Sequence, residues 1–124
     1  MLEIISTQNA PQAIGPYSQG IICNGILYTS GQIGLTPQGE LVSGIEAQTR
    51  QVLSNLEAIL KEAGVSFNSV IKTTIFLSDM DNFSIVNEIY AEFFKEHKPA
   101  RSTVAVKTLP KNALVEIECI ASLK

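Results

Sequence analysis

Two apolar stripes at helical spacing constrain what this chain can fold into. Ile45, Val52, Leu56, Ile59 and Ala63 recur on one face of a segment running from about 45 to 63, and Leu53 and Leu60 widen that face. Val86, Tyr90, Phe93 and Phe94 do the same over roughly 83–96, with Asn87 and Ile89 near the edges of the stripe. A helix with one apolar face needs a surface to bury it against. Between and around these helices lie β-prone runs, so the expected partner is a sheet.

The punctuation is clear at several points. Ser43 and Glu46 have the spacing of a capping box at the start of the first helix, and Gly64 supplies its stop. Ile21-Ile22-Cys23 and Ile26-Leu27-Tyr28-Thr29-Ser30 flank Asn24-Gly25, which predicts a two-residue type I′ hairpin. Residues 69–77 form a long β-branched strand, and 3–7 a short one. Pro99 ends the second helix. Beyond it, residues 100–106 and 115–121 read as two strands joined by a polar turn near Pro110-Lys111, which places Arg101 opposite the region of Ile120.

The predicted order is therefore three short strands, a helix, a long strand, a helix and two strands. This is an α+β arrangement with one mixed sheet and both helices on one face. The second helix then serves as a right-handed crossover that makes the long strand and the strand from Arg101 parallel. The other sheet face is left apolar and uncovered. Charged residues make up 17% of the chain, below the usual quarter, so self-association through that face is expected.

Composition narrows the function. A net charge of −3 without a basic stripe disfavours nucleic acid. No run approaches a membrane span, and the acidic N-terminal stretch is unlike a signal peptide, so a cytoplasmic protein is expected. Cys23 and Cys119 are expected to be buried thiols, and the lone His97 gives no metal spacing.

Candidate site residues stand out by chemistry. Arg101, set by Pro99 at the mouth of a β-branched run, is either a solvated strand-end charge or a bidentate carboxylate receptor. Glu116 and Glu118 alternate with Val115, Ile117 and Cys119, which puts both acids on one strand face. That face is either solvated or part of a site. Arg101 and Glu116 are too far apart along this register to touch within one chain, so a shared ligand requires a second subunit. Tyr17 lies in the irregular stretch AIGPYSQG at 13–20, as a packing anchor or a held hydroxyl.

Four segments together resemble the RidA (YjgF) family of reactive-intermediate deaminases: AIGPYSQG at 13–20, YTSGQIGL at 28–35, residues 70–94, and PARSTVAVKTLPKNALVEIECIA at 99–121. The resemblance covers nearly the whole chain and implies a single RidA-like domain over 1–124. It implies a chorismate-mutase-like subunit, a homotrimer with sites between subunits, and no cofactor. The implied reaction is hydrolysis of 2-imino acids or their enamine tautomers, such as 2-aminoacrylate and 2-iminobutanoate, to 2-keto acids and ammonia. Its implied benefit is protection of pyridoxal-phosphate enzymes.

By matching motif, Arg101 holds the substrate carboxylate, and Glu116 positions or activates water with help from Tyr17. Ser30, Gly31 and Thr103 line the cleft, and Asn87 supports it. Two departures qualify the match. Thr103 stands where many members carry Cys, which puts any thiol role, a redox-activated holdase included, in doubt. The segment between His97 and Pro99 looks shorter than in common members, reshaping the rim. Competing expectations are a trimeric carboxylate sensor, needing Arg101 but not Glu116, and an endoribonuclease or translation inhibitor, which the acidic charge disfavours.

Overall fold

A computed structural model describes residues 1–124. Its strands are β1 (Leu2–Ile5), β2 (Gly20–Cys23), β3 (Ile26–Thr29), β4 (Val70–Leu77), β5 (Ala100–Ala105) and β6 (Val115–Ser122), and its helices are α1 (Ile45–Glu62) and α2 (Phe83–Phe94). The strands form one sheet in the order β1-β2-β3-β6-β4-β5. All neighbours are antiparallel except β4 and β5, which run parallel as the crossover through α2 requires.

The hairpin turn forms as expected. Asn24 and Gly25 both take positive φ, 53° and 75°, and β2 and β3 pair from Cys23–Ile26 outward. The stripe of α1 buries Val52, Leu53, Leu56, Ile59 and Leu60 completely, and Gly64 at φ 84° ends the helix with Val65 N–H donating back to the Leu60 carbonyl. On α2 the buried residues are Val86, Ile89, Tyr90 and Phe94. They join the inward residues of the strands in one core of 20 buried side chains.

Four expectations are corrected. The Ser43 capping box does not form: Gly44, at φ 91°, is the N-cap and no side chain caps the helix. The second concerns α2, which carries Ile89 inside its buried stripe rather than at the edge and stops at Phe94, because Lys95 already leaves helical backbone at φ 57°, ψ −120°.

The third correction concerns the last two strands, which are not neighbours. β4 lies between them, so Arg101 pairs with Thr73, and Ile120 with Lys72 and Tyr28. Fourth, the face away from the helices is uncovered but mixed rather than apolar: Glu116, Glu118 and Ile120 lie there beside Phe76, Thr74 and Lys72, all half-buried. Alternation does place Glu116 and Glu118 together, with Val115, Ile117 and Cys119 buried on the other side.

Candidate active site

The stretch that follows β3 is bound to its neighbours through backbone and hydroxyl groups. Ser30 N–H donates to the Gln19 carbonyl at 2.9 Å, and its hydroxyl donates to the Ser18 carbonyl at 2.6 Å. Gln32 and Ile117 exchange both backbone hydrogen bonds, at 2.9 and 3.1 Å. Gly31 is thereby held flat against β6, and the Glu116 carboxyl fills the space where a side chain at 31 would stand. A Cβ built there would lie 2.8 Å from Glu116 Cδ and closer still to Oε2. Gly31 spends neither its N–H nor its carbonyl on another backbone group. A water or substrate atom beside Glu116 therefore has an unused donor and acceptor within reach.

Three buried amide side chains shape the walls of this cleft, and sequence reading did not single them out. Gln19, 2% exposed, accepts from Thr7 N–H at 2.6 Å and donates to the Thr7 and Pro11 carbonyls at 3.1 and 2.7 Å. Asn55 donates to the Leu35 carbonyl at 2.9 Å, and Gln48 links the Val42 carbonyl to Leu114 N–H. Irregular backbone cannot satisfy itself, so these amides replace the missing ladder. Gln48 and Asn55 lie seven apart on the same stripe as Val52 and Ile59, and that spacing was the available signal.

The resulting cleft has a volume of about 560 Å³, and Tyr17, Ser30, Gly31, Lys111 and Glu116 line it with an apolar side from Ile14, Ile33 and Leu35. Tyr17 is 52% exposed, so its ring is a wall of the cleft rather than a packed anchor. Burial raises the Glu116 carboxyl above the ordinary carboxylate range, and the neighbouring negative charge of Glu118 adds to the rise. Such a group takes up a proton more readily than a solvated acid.

Arg101 occupies a different place. It stands on the edge strand β5 and points to the helix side, because its register partners Thr73 and, one strand further, Cys119 are both buried against the helices. Asn87 Oδ1 on α2 accepts from Arg101 Nη1 at 2.8 Å. The guanidinium carbon lies 4.9 Å from the Tyr90 ring centre and 5.5 Å from that of Phe83. Tyr90 is fixed in turn by a 2.7 Å bond between its hydroxyl and Thr73. No acid pairs with Arg101, since both ion pairs of the chain belong to Arg50. Its remaining N–H groups are thus held in a fixed plane and unused, as a carboxylate receptor needs. Thr103, two residues on, is half-buried on the same side.

The predicted residues therefore fall into two groups. Tyr17, Ser30, Gly31 and Glu116 share the larger cleft; Arg101 and Asn87 share a second one of about 450 Å³. One chain does not bring the guanidinium and the acid to one ligand.

Comparison with known proteins agrees with this fold. Residues 7–123 match the family model described as Endoribonuclease L-PSP. Human 2-iminobutanoate/2-iminopropanoate deaminase is 48% identical over 120 residues, covering 95% of this chain and 88% of its own. A solved protein of the conserved Rid family, YyfA from Yersinia pestis, superposes with a TM-score of 0.97 at 57% identity, covering 98% of this chain and 99% of that one. E. coli TdcF, solved with bound serine, gives a TM-score of 0.93 at 46% identity, with coverage of 97% and 98%. The chain belongs to the RidA (YjgF) family.

Proposed function

We propose that this protein is a hydrolytic deaminase that converts 2-imino acids and their enamine tautomers to 2-keto acids and ammonia. The observation that carries the reading is the pairing of half-sites: an unpaired, planar-held guanidinium in one cleft, and a carboxyl with raised proton affinity beside Gly31 in the other. The name of the human relative and the serine bound by TdcF, an amino acid with a carboxylate, support it. The subunits are chorismate-mutase-like and form a homotrimer in which the edge strand that carries Arg101 of one chain lies against the uncovered sheet face that carries Glu116 of the next.

In this site Arg101 holds the substrate carboxylate with two parallel hydrogen bonds, and Thr103 and Ser30 fill the cleft around it. Water adds to the C=N carbon while Glu116 accepts its proton and passes it to the imine nitrogen, which becomes an amine. The tetrahedral adduct then collapses: the hydroxyl proton passes through Glu116 to the departing nitrogen, the C–N bond breaks, the C=O forms and ammonia leaves. The net change is imine plus water to ketone plus ammonia. Orientation and one held water supply most of what an already labile C=N bond requires. The substrate side chain lies against Ile14, Ile33 and Leu35. Removing such imines protects the pyridoxal-phosphate enzymes that release and are damaged by them.

The test is a coupled assay in which a threonine dehydratase generates 2-iminobutanoate and semicarbazide traps what escapes. Wild type is expected to suppress trapping, while Arg101→Ala and Glu116→Gln, both folded, do not. Failure of wild type to suppress trapping overturns the reading. The serine in TdcF favours a carboxylate-binding regulator as the second reading. Calorimetric binding of 2-oxobutanoate that survives Glu116→Gln, with no turnover in any form, selects it.

A further inference from the structure

The second cleft has an electrostatic character that the reaction above does not use. Lys95, His97, Lys98 and Arg101 all line it, and no acid of the same chain does, the exposed Glu96 between Lys95 and His97 lying outside the lining. Three of the nine Lys and Arg residues of a chain with net charge −3 are thus gathered at one opening. None of the three is in an ion pair. Their segment is anchored: His97 Nε2 lies 2.7 Å from the Val70 carbonyl, which makes that nitrogen the N–H donor, and His97 N–H donates to the Phe94 carbonyl at 3.1 Å. Lys95 holds its place at φ 57°, ψ −120°, a backbone region that suits glycine and strains a lysine.

We infer that Lys95 and Lys98 form an anion-collecting rim that concentrates monoanionic 2-imino acids and 2-keto acids at Arg101 and sets a preference over uncharged imines. The inference rests on the proposed carboxylate-receptor role of Arg101. On an otherwise acidic protein, an anion is repelled from most directions, so a local excess of cations governs approach through this opening. At roughly 10 Å in water, each lysine charge raises the local anion population about twofold, and the pair about fourfold.

The experiment compares wild type, the double variant Lys95→Gln/Lys98→Gln, Lys95→Gly, and Lys61→Gln as a control on the exposed surface of α1. Two readouts are followed from low to high ionic strength: kcat/KM for 2-iminobutanoate, and calorimetric Kd for 2-oxobutanoate. The double variant is expected to lose about fourfold in both at low salt, through KM rather than kcat, and to flatten the salt dependence. Lys61→Gln keeps the wild-type slope. Lys95→Gly relieves the strained backbone, so it is expected to raise Tm while still weakening binding. Equal kcat/KM, Kd and salt slopes in wild type and double variant overturn the rim. Lysine-dependent keto-acid binding without any turnover leaves the rim standing and sinks the deaminase reading instead; no binding and no turnover in wild type overturns both.

Discussion

The Glu116 carboxyl occupies the volume that a side chain on Gly31 would fill. Glycine is needed there for room, not for backbone freedom, since its φ is not positive. Gly31→Ala therefore displaces the acid while leaving its chemistry intact. The expected result is a loss of turnover of about a hundredfold, the usual consequence of an ångström-scale misplacement. Steady-state kinetics beside a thermal melt checks it: near-wild-type rates in a folded protein would refute the close packing of these two residues.

The raised proton affinity of Glu116 has a signed consequence for stability. Its folded pKa lies above the unfolded value, so its contribution is fully present below the ordinary carboxylate range and is lost as pH rises through the folded value. Glu116→Gln is thus expected to melt higher than wild type at pH 8, with the gap closing as pH falls below about 4. Activity is expected to move the other way, because the proposed base must be ionised to accept a proton from water. A gap independent of pH would mean that the acid is not desolvated in the assembled protein.

Mixing two inactive variants tests the division of labour between clefts. Arg101→Ala chains retain Glu116, and Glu116→Gln chains retain Arg101. If each site draws one residue from each of two neighbouring chains, random reassembly from denaturant in equal amounts restores about a quarter of wild-type activity. Separate refolding restores none. Complementation that stays at zero, with mixed oligomers demonstrated, argues against sites shared between subunits.

Gln19 predicts a purely structural effect. Removing its side chain leaves Thr7 N–H and the Pro11 carbonyl without partners in a buried place. Gln19→Ala is expected to cost about 2–4 kcal/mol in denaturant unfolding. Because the loop it holds is a wall of the larger cleft, KM should rise before the protein unfolds.

Elements with local signals were legible in the sequence. Asn24-Gly25 needed only its own conformational preference, and the α1 stripe only its period. The insertion of β6 between β3 and β4 was not legible, since strand order is fixed by burial of both neighbours and leaves no mark in the strand itself. The expected separation of Arg101 from Glu116 is found, and an offset along the strands remains because Arg101 is level with Cys119, but β4 stands between the two strands and the residues lie on opposite faces of the sheet. The capping expectation failed because Gly44 adopts a backbone that carries Ser43 out of the cap position. The buried amides were hidden because polar residues on an apolar stripe look like interruptions until the loops they support are seen.

The placement of Arg101 and Glu116 on two faces of one sheet reaches beyond catalysis. In the proposed assembly, a newly made chain carries every functional group and can use none of them until its neighbours arrive. Chemistry then reports quaternary integrity: dilution, or a mutation that loosens subunit contacts far from either cleft, silences the protein while each chain is still folded.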